Sequence, residues 1–251
     1  MTELEQALSK YGTAVKHFED DSIYLHLINN LGKIAPFERP DGYLAAENII
    51  YIIEHFEFDS SKVVKKKGSI SRSELGRVNR EFEKYPVNSE SAYLDELHIA
   101  PSATSYIKNA IQNMQNHYGK IQDYKDNLLS AGIINSNSIV KVGFFVEDVT
   151  QLGSYYKADN GLQPLNLVNC QEFLDNFVSC ADLDFCLCAN SYGTNDISSL
   201  FSPSFRGSTI HRRLYFLSKL SMATFRQSQM SIAGMEYMAF TPRTVGLKGT
   251  F

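Results

Sequence analysis

The apolar stretch "IIYIIEHFEFDSS", residues 49–61, constrains the fold more than any other part of the chain. Its β-branched and aromatic residues predict a buried strand, because such side chains pack well on a pleated sheet. Side chains alternate between the two faces of a strand, so Glu54 shares one face with apolar residues. His55, Glu57 and Asp59 share the other face, which turns from apolar to acidic. We therefore predict a core strand that opens onto a cleft at its carboxyl end.

A second apolar stretch, "SIVKVGFFVEDVT" at residues 138–150, repeats this pattern with Glu147 and Asp148 near its end. The alternation places these two carboxylates on opposite faces of the predicted strand. Ligand sites in α/β proteins lie beyond the carboxyl ends of strands, so the two acidic strand ends can meet at one edge of the sheet. Carboxylates held close together repel, and a bound cation or a raised pKa relieves that repulsion.

Carboxylate oxygens are the ligands that Mg²⁺ and Mn²⁺ prefer, which predicts a divalent-metal site at this edge. A metal-bound water with a nearby lysine would suit phosphodiester hydrolysis. The predicted metal ligands are Glu57, Asp59, Glu147 and Asp148. The predicted catalytic side chains are His55 as acid or base, with Lys62 or Lys141 as charge stabiliser. The alternative is that the acids cap strand ends and pair with the basic loop at residues 60–69.

The two acid-ended strands resemble the core of metal-dependent nucleases of the PD-(D/E)XK kind, whose motif places a lysine two residues after an acid. Glu57-Phe58-Asp59 has aspartate at the position of that lysine, and Glu147-Asp148-Val149 has valine. Because the defining lysine is missing from both stretches, the sequence assigns the chain to no family.

Positive charge is concentrated in two regions, although the net charge of the chain is −4. Residues 62–84 contain eight Lys and Arg against three Glu, and residues 203–251 contain seven against one Glu. Such asymmetry indicates an anionic partner, such as nucleic acid or another polyanion. Clustering of charges in loops is the alternative.

Each basic region contains a predicted helix. Ser71 and Glu74 have the spacing of a capping box, and the helix that follows carries a basic stripe of Arg77, Arg80 and Lys84. The second helix is predicted from about residue 209 to 227, and its basic residues Arg212, Lys219 and Arg226 are seven apart and so align. These six side chains are the predicted nucleic-acid contacts, and a solvated helix face is the alternative.

The remaining elements predict one α/β or α+β domain over residues 1–251, with a mixed central sheet of about four to five strands flanked by helices. Residues 1–35 read as an N-terminal helical segment, and residues 102–131 as one long amphipathic helix, bent or interrupted near Gly119. A helix opens near Asn169, and further strands are predicted at residues 183–193 and 235–243. Residues 88–101 and 153–165 are predicted to be irregular, and no tight hairpin is expected.

Composition excludes several classes of protein. No run of eighteen apolar residues occurs, so no membrane span is expected. The charged, amphipathic start differs from a secretory signal peptide. The four cysteines, Cys170, Cys180, Cys186 and Cys188, lack the spacing of a zinc site and are too few for a disulfide scaffold, so we expect core residues in a reducing cytoplasm.

Two functions follow from these patterns. The first is a divalent-metal-dependent phosphodiester hydrolase, in particular a nuclease, with its acidic site at the ends of two core strands. The second is a non-catalytic binding or regulatory protein that docks a protein or a nucleic acid. Acids at the ends of two core strands are harder to explain by solubility than acids on exposed helices, and this favours the first.

Overall fold

A computed structural model describes most of the chain. The described residues are 1–59, 63–64, 68–69, 76–77, 80, 92–95, 103–149, 153–158, 161–194, 209–222, 237–240 and 244–247. The helices that lie wholly within these ranges are α1 (Glu3–Tyr11), α2 (Leu25–Asn29), α3 (Ala103–Tyr118), α4 (Ile121–Ser130) and α5 (Gln171–Ser179). No helix within the described ranges is long and apolar enough to cross a membrane.

The strands are numbered along the chain. They are β1 (Val15–Lys16), β2 (Ala35–Pro36), β3 (Gly42–Ala46), β4 (Ile49–Phe58), β5 (Val63–Val64), β6 (Gly68–Ser69), β7 (Ala92–Asp95), β8 (Ile139–Asp148), β9 (Gly153–Ala158), β10 (Gly161–Pro164), β11 (Phe185–Thr194), β12 (Thr209–Ser218), β13 (Tyr237–Phe240) and β14 (Thr244–Leu247).

Seven of these strands form one mixed sheet in the order β1-β12-β11-β8-β4-β3-β2. Its centre is parallel: β4, β8 and β11 run in the same direction, as crossover connections through helices require. The flanking pairs β11–β12 and β3–β4 are antiparallel. The sheet is therefore mixed and flanked by helices, as predicted, but it is larger than the predicted four to five strands.

Both faces of the sheet are covered. On one face, α3, α4 and α5 pack against apolar residues of β4 and β8, including Ile52 and Phe144. On the other face, α1 and α2 pack against Ile53 and Phe145. Helix α1 is amphipathic, and its start is closed by a capping box. The alternation of faces in β4 and β8 is the one predicted from the sequence.

Several predictions about the elements are wrong, including the irregular structure predicted for residues 153–165, which contain strands β9 and β10. Residues 209–218 form strand β12 rather than a helix, because pairing with β11 buries Leu214 and Phe216 on one face of the sheet and Leu217 on the other. Antiparallel hairpins occur within the described residues, among them β3–β4, joined by Glu47 and Asn48, and β9–β10. Residues 92–95, predicted to be irregular, form strand β7.

Two other predicted helices differ in extent. The long helix of residues 102–131 is two helices, α3 and α4, separated at Gly119 and Lys120. The N-terminal segment contains α1, α2 and short 3₁₀ turns, but also strand β1, which pairs with β12. Most of the helix predicted from Ser71 lies outside the described residues. Its positions 76, 77 and 80 are described, and they are helical.

Candidate functional site

The two acidic strand ends lie at the same edge of the sheet. In the parallel register, Glu57 is opposite Glu147 and Phe58 is opposite Asp148. The alternation of side chains places Glu57 and Glu147 on the face covered by α1, and Asp148 on the face covered by α3. The predicted carboxylates are therefore near one another in the fold but divided between two faces.

Glu147 is buried and its charge is balanced within the protein. Its carboxylate accepts hydrogen bonds from Lys10 Nζ at 2.8 Å and from His55 Nε2 at 3.2 Å. Burial would raise the pKa of Glu147, but the hydrogen bonds from His55 and Lys10 outweigh it and hold that pKa below its ordinary value. Two of the predicted site residues, His55 and Glu147, are thus brought together, with a lysine that the sequence did not single out.

The other predicted residues of this site are placed differently. Lys141 lies near the amino end of β8, at the opposite end of the strand from the acids, and pairs with Asp184 at 2.9 Å. Glu57 is exposed and Asp59 is half-buried. Lys62 lies outside the described residues. Within the described part of the chain, no group of three or more His, Cys, Asp or Glu side chains is arranged to hold a metal ion.

A second cluster, which the sequence did not predict, surrounds Glu54. Its Oε1 accepts hydrogen bonds from the Tyr124 hydroxyl at 2.7 Å and from His117 Nδ1 at 3.0 Å. Its Oε2 accepts from the backbone N–H of Asp41 at 3.3 Å. The carboxylate of Asp41 in turn accepts from the backbone N–H of His55 at 2.7 Å. We call Asp41 and Glu54 the carboxylate pair.

The members of the carboxylate pair interact electrostatically. Burial raises the pKa of Asp41, and the negative charge of Glu54 raises it further, although the hydrogen bond from the His55 backbone opposes this. Glu54 is 7 % exposed, so its charge is only weakly screened by water. Two carboxylates in this arrangement repel one another unless a proton or a cation lies between them.

Fold topology explains how the pair forms. Strand β3 begins at Gly42, opposite Ile53 of β4, so Asp41, immediately before β3, lies beside Glu54. Helix α3 ends at Tyr118, which places His117 over Glu54 with its ring stacked on Phe56 at 4.8 Å. One sequence signal was available: Glu54 is a charged residue within the apolar face of a core strand, where ionised groups are costly without partners.

Asp41 of the carboxylate pair lines a depression in the surface. A shallow depression of about 540 Å³ is lined by Thr2, Pro36, Phe37, Glu38, Arg39 and Asp41. Arg39 is exposed at its rim and has a φ of 65°. A left-handed backbone costs about 1 kcal/mol for a residue with a side chain, and such strain is concentrated at functional sites.

The predicted basic stripe on residues 209–227 does not exist as a helix surface. Arg212 is exposed on strand β12, and Lys219 follows the end of that strand. Lys219 Nζ donates to the carbonyl oxygens of Cys180 and Ala181, both at 2.9 Å, just beyond the end of α5. Arg226 and Lys84 lie outside the described residues, and nucleic-acid binding by Arg77 and Arg80 stays a prediction.

The four cysteines are core residues, as predicted. All four are free and buried, and burial raises the pKa of each thiol. Thiols with raised pKa values are poor nucleophiles and poor metal ligands at neutral pH, so they supply no alternative site.

Comparison with known proteins identifies no relative of this chain. No protein-family model, no curated protein and no solved structure matches this chain. The function must therefore be inferred from the geometry of the clusters themselves.

Proposed function

We propose that this protein is a divalent-metal-dependent phosphodiester hydrolase whose metal ion binds at the carboxylate pair, Asp41 and Glu54. The observation that carries the proposal is the contact between these two residues, in which the backbone N–H of Asp41 donates to Oε2 of the buried Glu54 at 3.3 Å. Burial, and then the charge of Glu54, raises the pKa of Asp41. A divalent cation relieves the repulsion that the fold builds into the pair.

The ligand set fits Mg²⁺ or Mn²⁺. Mg²⁺ keeps several waters and is commonly bound by one or two carboxylates together with substrate phosphates. Asp41, which lines an open depression, and the buried Glu54 beside it are enough for such an ion, which does not need a third protein side chain. A bound ion would supply Lewis-acid activation of a phosphoryl group and of a water molecule.

The surrounding residues have roles that their contacts suggest. Tyr124 and His117 donate hydrogen bonds to Oε1 of Glu54 and so fix the orientation of its carboxylate, as supporting residues of metal ligands usually do. The exposed guanidinium of Arg39, at the rim of the depression, is suited to contact a substrate phosphate. Metal binding by the ligands predicted from the sequence stays a prediction, which the same assay can test. These ligands are Glu57, Asp59, Glu147 and Asp148.

One observation favours a non-catalytic binding protein instead. Glu147, the most buried of the predicted ligands, is neutralised by Lys10 and His55, and Glu54 already accepts three hydrogen bonds. Carboxylates satisfied in this way can be structural, which leaves the surface free to act only as a docking site.

The test measures metal binding and hydrolysis together. Mn²⁺ binding is followed by titration calorimetry, and hydrolysis is followed with plasmid DNA, single-stranded RNA and bis-p-nitrophenyl phosphate, with and without EDTA. We expect Asp41→Asn and Glu54→Gln to lose at least about tenfold in Mn²⁺ affinity and at least about 100-fold in rate. Asp41→Asn can keep the hydrogen bond from the His55 backbone N–H through its remaining oxygen. Glu54→Gln keeps the bonds at one oxygen position and turns its amide nitrogen towards the donor at the other, so its stability is measured alongside its metal affinity.

The matched control is Glu3→Gln, which removes an exposed carboxylate of α1 and should change neither quantity. Metal-independent hydrolysis, or Mn²⁺ binding that survives in both pair variants, would refute the carboxylate pair as the site. Absence of hydrolysis with every substrate would favour the binding protein.

A further inference from the structure

An aromatic side chain lies in line with the carboxylate pair. Asp41 directly precedes β3, and the pairing of β3 with β4 continues so that Asp41 is opposite Glu54. The backbone N–H of Phe37 donates to the carbonyl oxygen of Asp41 at 3.0 Å, which extends the pairing of β2 with β3 by one residue. Phe37, Asp41 and Glu54 therefore form a row across three strands. Residues directly opposite one another share a face of the sheet, with Cβ atoms about 4.5–5.5 Å apart.

The ring of Phe37 is suited to stack on a flat ligand. It is half-buried, and with Asp41 it lines the depression of about 540 Å³. It packs perpendicular to the ring of Tyr43, with centroids 6.1 Å apart and an interplanar angle of 82°, and this contact fixes its orientation. An oriented ring that is open to solvent is a platform on which a nucleic-acid base can stack.

Arg39 brings a positive charge to the same depression. It is the middle residue of the three-residue loop between Phe37 and Asp41, and it is exposed. Its carbonyl oxygen accepts a hydrogen bond from Asn127 Nδ2 at 2.9 Å, which ties the tip of the loop to α4. The backbone of the loop is thus held in place while the guanidinium group stays accessible, as a contact to a phosphate requires.

The charges of the depression favour a strand that binds together with a metal ion. Glu38 and Asp41 also line it, so two negative charges oppose the positive charge of Arg39. This balance alone repels a polyanion, and a divalent ion at the carboxylate pair reverses it.

The aromatic platform favours a single strand over a duplex. A base in a duplex is paired and stacked between its neighbours, so it must leave the helix before it can cover Phe37. The bases of a single strand are available to aromatic side chains without that cost.

We propose that the substrate of the carboxylate pair is single-stranded nucleic acid, with one base stacked on Phe37 and an adjacent phosphate bound by Arg39. The cleavage of this strand rests on the proposed hydrolase function, but the two contacts can be measured separately from it. Neither contact involves the 2′-hydroxyl group, so strands of DNA and of RNA are both expected to bind.

The first experiment detects stacking on the platform. The chain contains no tryptophan, so Phe37→Trp introduces a single fluorescent reporter. The full-length variant is mixed by stopped flow with oligothymidylate or oligouridylate in MnCl₂ at low salt, and tryptophan fluorescence is followed before hydrolysis. Both strands should quench the fluorescence, because the base stacks on the reporter. A blunt DNA duplex at the same nucleotide concentration should quench it much less.

The second experiment compares hydrolysis of single-stranded and double-stranded DNA of the same sequence. For the wild type, kcat/KM should be at least about tenfold higher with the single strand. Phe37→Leu keeps an apolar side chain but removes the ring, so kcat/KM for the single strand should fall by about tenfold, as expected for the loss of one stacked base. Its Mn²⁺ affinity should be unchanged, because Phe37 is not a metal ligand.

The contact of Arg39 with a phosphate is tested by the salt dependence of binding. Binding of the oligothymidylate is followed by its fluorescence anisotropy. Arg39→Gln should flatten the slope of log K against log salt by about 0.7, the value for one phosphate contact to a single strand. Lys16→Gln is the matched control and should leave the slope unchanged, since Lys16 is exposed on β1, at the opposite edge of the sheet from β2.

Three results would overturn the proposal: no quenching of Phe37→Trp by either strand, equal kcat/KM for single and double strands, or unchanged kcat/KM in Phe37→Leu. Hydrolysis that is lost in Asp41→Asn but unaffected by Phe37→Leu would leave the hydrolase standing and refute the platform. Quenching without hydrolysis of any strand would refute the hydrolase, and with it the substrate, while the stacking contact would stand.

Discussion

Replacing Glu147 by glutamine tests whether the buried cluster of Lys10, His55 and Glu147 stabilises the fold. The substitution keeps the size of the side chain but removes its charge. Its amide nitrogen also has to face one of the two donors, Lys10 Nζ or His55 Nε2, that now approach within 2.8 and 3.2 Å. The variant therefore loses both charge-assisted hydrogen bonds, and one of them becomes a contact between two donors.

The expected loss in the free energy of unfolding follows from how exposed Lys10 and His55 are. The Lys10 side chain is 40 % exposed, so its bond contributes about 0.5–1 kcal/mol after screening by water. The His55 side chain is 2 % exposed, and a hydrogen bond from a buried donor to a charged acceptor contributes about 1.5–3 kcal/mol. We expect a loss of about 2–4 kcal/mol in the free energy of unfolding, which lowers Tm by about 5–15 °C in a chain of this size.

The stabilisation of the fold by Glu147 should fall as the solution becomes acidic. Because the pKa of Glu147 is lowered in the folded protein, the ionised carboxylate stabilises the fold fully above its unfolded value of 4.5. That stabilisation is lost as pH falls through the lowered folded pKa. Burial would lower the pKa of Lys10, but its hydrogen bonds to Glu147 and Tyr11 raise it on balance, so the lysine's contribution is lost only as pH rises beyond 10.5.

The assay is denaturant and thermal unfolding between pH 3 and pH 11. The difference between the wild type and Glu147→Gln should be constant near neutral pH and should shrink below pH 4.5. Glu57→Gln is the matched control, because Glu57 is opposite Glu147 in the register but exposed, and it should change stability by less than about 0.5 kcal/mol. Equal effects of the two substitutions, or a difference that grows in acid, would refute the reasoning.

Three further substitutions test other parts of the structure. Gly143→Ala should destabilise by at least about 1–3 kcal/mol in denaturant unfolding, because the new methyl group would overlap the buried ring of Phe185; unchanged stability would contradict this packing. Asp41→Asn in metal-free buffer should raise Tm by up to about 3 °C at pH 7, since the raised pKa of Asp41 means that its charge destabilises the fold. That gain should vanish below pH 3.8, and a loss of Tm at pH 7 would instead make Asp41 a structural residue. Tyr124→Phe should cost about 1–3 kcal/mol in thermal unfolding, because a hydrogen bond to buried Glu54 is lost; no change would show that water replaces the hydroxyl.

The central strands were predictable from local pattern. The alternation in residues 49–58 and 139–148 determines which side chains share a face, since the period of a strand is two whatever the rest of the fold does. The same pattern placed acids at the ends of both strands. Residues 209–218 could not be assigned this way: Leu214 and Leu217 suit one face of a helix, yet Leu214 and Phe216 face one core while Leu217 faces the other. A strand buried on both faces has no periodicity that excludes a helix.

The clusters around those strands depended on tertiary structure. Lys10 and Glu147 are 137 residues apart in the chain, and Glu54 and His117 are 63 apart. No local pattern records such pairs, because Lys10 and His117 look like ordinary surface residues until helix packing brings them to Glu147 and Glu54. The sequence by itself determined the faces of the central strands and the acids at their ends. The order of strands in the sheet decided which charges meet, because the interaction of two charges depends on their distance and burial rather than on their positions in the chain.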